Sequence, residues 1–346
     1  MAPNSSPLCR LQLGFHGRTG LATPHLSVDG MTPHGPNLSH WPGNRTPRQW
    51  RADLSTAIAL RCQRGDPAEQ AKFLGSAELV VNDHYDTDGF GSLLAVLRPE
   101  LAERHEELLL AAAATGDFGC WQSRRGFAVD RLVARLAHRD SPVAGEFAGL
   151  TDPDQRSLAR YRWLLEHADA VLRAPESFAA VYRDELAQVE AELDAGLRGA
   201  VQRQHFPAHD FAVLTSAGPR HRLVLNTLAG GYRVLHVQQG REGCCYRYHD
   251  RTESWFDLVS IQARPRVDLR PLAAALAALE GGGASWCADP PTEPIPELWC
   301  GDPAPQEYGQ ITRVLRPSRL APEVVVERFV GHFAAAGAMV PGSPRG

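Results

Sequence analysis

The stretch VVNDHYDTDGFGSLL, residues 80–94, decides the fold class of this chain. It continues an apolar run that begins at Ala77, and its β-branched residues predict a short buried strand. A glycine-containing turn at Gly89 follows, and the next residues are typical of the start of a helix. A strand that leads directly into a helix indicates an α/β fold with a parallel sheet.

Three side chains that commonly bind metals stand between this strand and this helix. His84, Asp86 and Asp88 alternate at the carboxyl end of the predicted strand, where open α/β sheets place their sites. An imidazole nitrogen together with carboxylate oxygens suits Mn, Fe or Zn. With Asp83 included, three carboxylates at this spacing repel one another unless a cation or a proton compensates. The segment therefore predicts a divalent-metal site.

Other interpretations of the segment were weighed. An acidic turn that caps the helix needs no metal and stays open. An EF-hand loop is excluded, because its glutamate position is Ala95 and a strand rather than a helix precedes it. A haloacid-dehalogenase-like phosphatase, with Asp86 as nucleophile and Asp88 as general acid, is a second enzyme alternative. However, Phe90 occupies the Thr or Val position of that motif, and the only lysine, Lys72, precedes it.

From His84 to Ser92 the motif reads HYDTDGFGS, which resembles motif I of the DHH phosphoesterase superfamily, a group that includes RecJ-like exonucleases and oligoribonucleases. The resemblance implies a two-metal site, usually manganese, with Mg or Zn as alternatives. His84 and Asp86 are then expected to bind one ion, and Asp88 the other. An aspartate at the end of the next strand is expected to ligate both ions, and Asp117 stands at a plausible distance. Asp88 and Asp117 are thus the expected catalytic residues, and Ser92 is expected to bind substrate.

The Asp-His-His triplet that names the superfamily is absent, since no two histidines are adjacent. The nearest equivalent is the run His138-Arg139-Asp140, which follows a helix predicted over residues 127–137. His138 and Asp140 are candidate metal ligands. The alternative is that His138 and Arg139 bind the last carbonyl groups of that helix.

The length of 346 residues and the 43% hydrophobic content predict about two globular domains. We expect an α/β DHH-like domain with an irregular amino-terminal segment over residues 1–150. The Ala-, Glu- and Arg-rich segment 151–204 predicts a helical connector, broken near Pro175. Residues 205–346 predict a smaller α+β domain of the substrate-binding kind. The expected fold class is therefore α/β, with a parallel-sheet metal-bearing lobe, a connector and a second lobe.

In the second lobe, strands are predicted over 209–216, 232–238, 243–249 and 256–261, and a helix over 267–280. Members of the resembled superfamily often carry a carboxyl-terminal domain that holds substrate with a Gly-rich loop. Here Gly281, Gly282 and Gly283 could cradle an anion with their amides, and Arg264 and Arg266 could bind its charge. A simple helix stop at these glycines is an equally open alternative.

The Pro33–Pro47 stretch, rich in Pro, Gly and Asn, is expected to hold no regular structure. Trp41, Trp50, His34 and His40 lie in or beside it. They either pin a loop with aromatic anchors or line a pocket, and the sequence does not decide between these two.

Composition limits the partners. All but one of the 36 basic residues are arginines, yet the net charge is −4, which argues against an extended nucleic-acid track. A small anionic or phosphorylated ligand held by a few arginines, with Arg51 as one candidate, fits better. No apolar run approaches the ~20 residues that cross a bilayer, and a signal core is lacking. Scattered cysteines without a Cys-x-x-Cys pair suit reduced thiols, so a cytoplasmic protein is expected.

These features predict a metal-dependent phosphoesterase-like hydrolase that acts on a small phosphate ester or short nucleotide in a cleft between the lobes. A metal-activated water is expected to attack the phosphoryl centre. The alternative is a non-catalytic protein that binds a nucleotide or a protein partner.

Overall fold

The computed structural model describes residues 6–17, 20–138, 141, 143–282, 284–302 and 313–338. The chain is a mixed α/β protein that forms two compact units. Unit 1 comprises Met1–Gln188 and Phe256–Gln262, and unit 2 comprises Val189–Trp255 and Ala263–Gly346. This division differs from the three ranges expected from sequence, because the segment predicted as a connector is shared between the units.

The sheet of unit 1 has four parallel strands in the order β1-β4-β2-β3. They are β1 (Gln12–Leu13), β2 (His25–Val28), β3 (Asn37–Leu38) and β4 (Leu79–Val81). The strand predicted from Ala77 is confirmed as β4. The expectation that Pro33–Pro47 holds no regular structure is wrong, because β3 lies within it. Its Asn37 is polar and buried, but the side-chain amide is hydrogen-bonded, since Nδ2 donates to Ser27 Oγ and to Gly30 O, both at 2.8 Å.

Unit 1 also contains a series of helices, and the last of them continues into unit 2. They are α1 (Ser55–Gln63), α2 (Pro67–Leu74), α3 (Thr87–Leu97), α4 (Pro99–Arg104), α5 (Glu106–Asp117), α6 (Arg124–Leu136), α7 (Ala144–Phe147), α8 (Pro153–Arg173) and α9 (Arg183–Ala195). The helix predicted after the metal motif is confirmed as α3, and its residues from Thr87 to Val96 are all buried. A helix apolar on all sides belongs in a core, and α3 packs there with α8.

Short 3-10 helices occur at Pro7–Arg10, Arg48–Trp50, Pro175–Val181, Pro207–His209 and Thr252–Ser254. The predicted helix break near Pro175 is confirmed, because α8 ends at Arg173. Helix was predicted to continue to residue 204, and this is wrong from Val201 onward, where a strand begins. Gly199, with φ of 96°, ends the helical path, since this backbone conformation suits only glycine well.

Unit 2 contains a mixed six-stranded sheet in the order β5-β6-β7-β8-β10-β9, in which only β6 and β7 pair in parallel. Its strands are β5 (Val201–Phe206), β6 (Phe211–Ser216), β7 (Arg233–Gly240), β8 (Gly243–Asp250), β9 (Trp286–Ala288) and β10 (Glu297–Cys300); its helices are α10 (Arg222–Ala229), α11 (Arg270–Glu280) and α12 (Pro322–Ala338). Phe211, Tyr248, Phe329 and Phe333 form an aromatic core between sheet and helices.

Three of the four strands predicted in this region are confirmed as β6, β7 and β8, and the predicted helix is confirmed as α11. The strand predicted over 256–261 is wrong. This segment belongs to unit 1, and its amides bond to loop residues of that unit instead of to a strand: the Asp257 N–H donates to His40 O, and the amides of Val259 and Ser260 donate to Asp53. Among the described helices, none combines the length and the apolar character that a membrane crossing requires.

The centre of β2 offers a test of the unit 1 core. Leu26 is fully buried there, so Leu26→Ala removes apolar contacts and leaves a cavity. We expect a loss of about 2–5 kcal/mol in the free energy of unfolding, measured by urea denaturation with circular dichroism. The same substitution at Leu197, whose side chain is 79% exposed, should change it by less than about 0.5 kcal/mol. Equal effects of the two substitutions would contradict this packing.

Candidate metal centre

The carboxyl ends of β2, β3 and β4 bring polar side chains to one edge of the parallel sheet. Asp29 follows β2 directly, His40 follows β3 by two residues, and His84 comes shortly after β4. Open parallel sheets concentrate their sites at this edge, because successive strands end side by side there. Helices α3 and α5 add Asp88 and Asp117 to the same place.

The first ligand set consists of Asp29, His40, Asp88 and Asp117, each of which offers one ligand atom within 4.8 Å of the others. His40 Nε2 lies 3.8 Å from Asp29 Oδ1, 3.8 Å from Asp88 Oδ2 and 3.4 Å from Asp117 Oδ2. The side chains are at most 8% exposed. Three carboxylates and an imidazole are thus enclosed together, which is a donor set for a divalent cation.

The second ligand set consists of Asp29, His84 and Asp86, again within 4.8 Å of one another. His84 Nε2 lies 2.9 Å from Asp86 Oδ2 and 3.1 Å from Asp29 Oδ2. Asp86 is 32% exposed, so this set is more open than the first. Asp29 belongs to both sets: its Oδ1 is the atom nearer His40, and its Oδ2 is the atom nearer His84.

Both imidazoles are oriented by an oxygen acceptor on the far side of the ring. His84 Nδ1 donates to Asp83 Oδ1 at 2.7 Å, and His40 Nδ1 donates to Asp53 O at 2.6 Å. Metal-binding histidines are commonly held in this way, because the acceptor fixes the orientation of the ring. His40 Nε2 has no hydrogen-bond partner, whereas His84 Nε2 is hydrogen-bonded to Asp86 Oδ2. In both rings Nε2 points to the carboxylates.

Unsatisfied buried atoms support a cation at this position. Within the described part of the chain, Asp29 Oδ1 and His40 Nε2 are buried and have no hydrogen-bond partner. Such atoms are rare in folded proteins and need an explanation. A metal ion between them would satisfy both, so the residues present fit a divalent cation.

The electrostatics lead to the same conclusion. Burial raises the pKa of Asp29 well above its usual range, and the charges of Asp86 and Asp88 add to this. Burial and the same neighbouring carboxylates raise the pKa of Asp117. Burial acts to lower the pKa of His84, but the surrounding carboxylates outweigh it and raise that pKa overall. A group of acids that holds protons at unusually high pH is one in which a cation can replace those protons.

Asp29 is held in a strained backbone conformation. Its φ is +62°, a left-handed geometry that costs about 1 kcal/mol but that aspartate tolerates better than most residues. The Asp29 N–H donates to Leu38 O, and Ser39 Oγ donates to Asp29 O. The Gly30 N–H donates to Asn82 Oδ1 at 3.1 Å. Neighbouring strand ends thus fix the turn that aims the carboxylate.

The two aspartates of the motif also cap helices. Asp88 accepts the N–H of Ser55 at 2.7 Å and of Thr56 at 2.8 Å, one on each oxygen, and so caps the start of α1. Asp86 Oδ1 accepts the N–H of Gly89 at 2.8 Å and caps α3, while its Oδ2 faces His84. The capping alternative from the sequence is therefore confirmed, and it coexists with the convergence of these carboxylates.

Tyr161 on α8 holds the loop that carries His84. Its hydroxyl donates to His84 O at 3.0 Å, and it accepts the N–H of Asp86 at 3.2 Å and an Nδ2 hydrogen of Asn82 at 3.1 Å. Asn82 in turn donates to Asp29 Oδ2 at 3.3 Å. One buried hydroxyl thus holds the backbone of the His84 loop directly and reaches the Asp29 carboxylate through Asn82.

The structure brings together four of the predicted ligands, His84, Asp86, Asp88 and Asp117. Asp117 was expected at a strand end, and this is wrong, because it is the last residue of helix α5. His138 belongs to neither ligand set. It is exposed and follows the end of α6. Asp140 lies outside the described residues.

Sequence reasoning did not identify Asp29 and His40 as ligands. A signal for Asp29 was present, because the run His25-Leu-Ser-Val ends in Asp-Gly as a short strand does. For His40, the contacts of its loop are those of the aromatic-anchor alternative. His40 is stacked on Phe256, with ring centroids 3.9 Å apart, and Trp41 lies 5.1 Å from His84.

The predicted substrate-binding residues fall in different places. Ser92 is fully buried in α3, and Arg51 is exposed in unit 1. Arg264 is exposed in unit 2. Arg266 donates to Ser254 Oγ at 2.9 Å and to backbone carbonyls of the 291–294 loop, so its guanidinium holds that loop.

The glycine-rich segment forms a helix stop. Gly281 has φ of +68° and is the left-handed cap of α11, and Gly282 follows with φ of +100°. Both are exposed, and Gly283 lies outside the described residues. The geometry of the two described glycines is the ordinary one for a helix carboxyl terminus, which is the alternative weighed against an anion cradle.

Residues 13–343 match the family described as "Family of unknown function (DUF6687)". The chain belongs to this family. No curated protein and no solved structure matches it. The family carries no assigned activity, so the function is argued from the metal centre itself.

The shared carboxylate offers a test of the centre. Asp29→Asn removes one ligand charge from both sets, while asparagine still tolerates the left-handed backbone. Substituting a residue that only hydrogen-bonds to a metal ligand typically lowers metal affinity roughly 10–100-fold. We expect a larger fall in Mn²⁺ affinity here, measured by calorimetric titration of the metal-free protein. The control is Asp169→Asn, an exposed carboxylate on α8 paired with Arg173. Equal affinities in the two variants would contradict the assignment.

The acceptor behind His84 offers a second test. Asp83→Ala removes the oxygen that orients the imidazole, and we expect Mn²⁺ affinity to fall about 10–100-fold. Asp83→Asn keeps an acceptor oxygen of the same size and should retain most of the affinity. If the alanine and asparagine variants bind Mn²⁺ equally well, Asp83 does not position His84.

Proposed function

We propose that this chain is a divalent-metal-dependent phosphoesterase that acts on a small phosphate ester or a short nucleotide. The observation that carries the proposal is that Asp29 belongs to both ligand sets. Asp29 would contribute one oxygen to each set, and a divalent ion in each would suit in-line phosphoryl displacement, because attacking and leaving oxygens could both be stabilised.

The donor set favours a hard or borderline cation. Each set contains one imidazole, and the other donors are carboxylates, with no thiolate in either. Such a mixture suits Mn²⁺ best among common ions, with Mg²⁺ and Zn²⁺ as alternatives. When bound, these ions would supply an acidified water and neutralise phosphoryl charge.

The chain's own residues do the positioning. Asp29 fixes the spacing of the two sets, and Asp83 and Asp53 O hold the histidine rings. Phe256 covers one face of His40, and its ring excludes water from that side of the first set. The more open second set, with Asp86 partly exposed, provides the face that a substrate can reach. Substrate then meets fixed carboxylates whose geometry needs no rearrangement.

The resemblance to the DHH superfamily supports the same proposal. Its motif I residues His84, Asp86 and Asp88 all belong to the ligand sets. The resemblance implies an aspartate at the end of the strand after motif I. Asp29 follows β2, which precedes motif I in the chain, but its carboxylate faces both ligand sets. The Asp-His-His triplet is absent, and His40 offers an imidazole to the first set without it.

The phosphatase alternative is less favoured by the geometry. A dehalogenase-like mechanism needs Asp88 as a general acid with an oxygen free to exchange a proton. Here each oxygen of Asp88 already accepts a backbone N–H of α1, so neither oxygen is left without a partner for that exchange. A metal ligand, in contrast, works as a carboxylate and keeps a second lone pair on each oxygen.

Hydrolysis of bis(4-nitrophenyl) phosphate tests the proposal. We expect activity with Mn²⁺, loss of activity on chelation and recovery when Mn²⁺ is restored. Asp117→Asn should lower kcat/KM at least about 100-fold, because it removes a ligand of the first set. The substitution relieves carboxylate repulsion, so the metal-free variant should keep its melting temperature. Asp169→Asn is the control and should retain full activity.

Two results would count against catalysis. The first is equal activity in Asp117→Asn and in the control. The second is a metal-loaded chain that hydrolyses no phosphate ester, although metal and nucleotides raise its melting temperature. This second result would favour the non-catalytic binding protein, since a ligand stabilises the state that it binds.

A further inference from the structure

A surface pocket of about 590 Å³ in unit 1 is lined by Arg48, Arg51, Arg61 and Val259. We call it the arginine pocket. All three arginines are exposed residues. Arg48 and Arg51 come from the segment that precedes α1, and Arg61 comes from α1 itself. Three guanidinium groups around one cavity repel one another, so an anion bound between them would be stabilised.

The nearby carboxylates do not cancel this charge. Asp257 Oδ2 lies 3.9 Å from Arg51 Nη1, and both side chains are more than 40% exposed, which makes the pair weak. A second carboxylate, Asp53, accepts hydrogen bonds from the amides of Val259 and Ser260 and from the Ser260 hydroxyl, and it also interacts electrostatically with Arg61. Two carboxylates thus stand against three guanidinium groups. An excess of positive charge therefore remains at the pocket.

The backbone positions the arginines. Arg61 donates a hydrogen bond to Arg51 O, and Arg51 Nε donates to Thr46 O at 3.3 Å. These contacts leave other N–H groups of each guanidinium available. Guanidinium groups bind phosphate with two parallel hydrogen bonds, so arginine suits this role better than lysine.

Two chain segments link the arginine pocket to His40 of the metal centre. Asp53, two residues from Arg51, accepts the Nδ1 hydrogen of His40 on its backbone oxygen. The Asp257 N–H donates to His40 O at 2.6 Å, and Phe256 stacks on the His40 ring. The segments that line the pocket are thus the ones that hold a metal ligand.

We infer that the arginine pocket binds a second phosphate group of the substrate, apart from the phosphoryl group that is hydrolysed. The inference rests on the proposed function and narrows its substrate class to esters with two phosphate groups. The metal centre holds the reacting phosphate, and the pocket binds the other phosphate. The pocket thereby selects against substrates that carry only one phosphate group.

A matched pair of chromogenic substrates tests the inference. Thymidine 5′-(4-nitrophenyl phosphate) carries one phosphate, and its 3′-phosphorylated form carries a second. We expect a KM about tenfold or more lower for the 3′-phosphorylated form. In the variant Arg48→Gln/Arg51→Gln the ratio of the two KM values should fall towards one, whereas Arg48→Lys/Arg51→Lys should recover part of it. Arg104→Gln, an exposed arginine on α4, should keep the wild-type ratio.

A binding measurement separates this inference from the proposed function. Inorganic pyrophosphate is titrated calorimetrically into the full chain in the presence of a chelator, so that bound metal does not contribute. We expect binding that weakens about tenfold or more in Arg48→Gln/Arg51→Gln and is unchanged in Arg104→Gln. Circular dichroism confirms that the variants are folded.

The outcomes are distinguishable. Pyrophosphate binding that depends on the arginines, without hydrolysis of either ester, would retain the pocket as an anion site and overturn the phosphoesterase. Hydrolysis with equal KM ratios in all variants, and pyrophosphate affinity that the substitutions do not change, would overturn the pocket and retain the phosphoesterase.

Discussion

The carboxylate of Asp29 is the constraint on which the site depends. It faces His40 with one oxygen and His84 with the other, so two ligand sets have one geometric origin. Its position requires a left-handed backbone after β2, and hydrogen bonds between this turn and residues at the ends of β3 and β4 hold that conformation. The parallel sheet therefore has a specific task, which is to place three strand ends so that one strained residue can serve both sets.

The same carboxylates link the site to the stability of the fold. Asp88 caps α1 and Asp86 caps α3, so the amino termini of these two helices are each bound by a candidate ligand. A helix amino terminus favours a nearby negative charge, and this offsets part of the cost of crowding acids in a buried place. The remaining cost is visible in the raised pKa of Asp29 and Asp117. The helix ends compensate for some of the negative charge, and a cation would compensate for the rest.

Local sequence predicted the part of the centre that is local in the chain. The strand, the turn and α3 are contiguous, so His84, Asp86 and Asp88 could be assigned together. Asp29 and His40 follow strands of only four and two residues in a region rich in proline and glycine. Such strands form because β2 pairs with β4 and β3 pairs with β2, and local propensity carries little of that information. For Arg266, the residue type suggested an anion ligand, but the carbonyl groups that it binds are set by tertiary structure.

The segment 256–262 is synthesised later than the other residues of unit 1. It returns to unit 1 after four strands of unit 2 have been made, and it places Phe256 on the ring of His40. A ribosome adds about 5–20 residues per second, so this segment emerges on the order of ten seconds after α5. During that interval the nascent chain has every ligand of the centre but lacks the aromatic cover of His40. Metal capture during synthesis would therefore involve a more hydrated centre than the one in the finished protein.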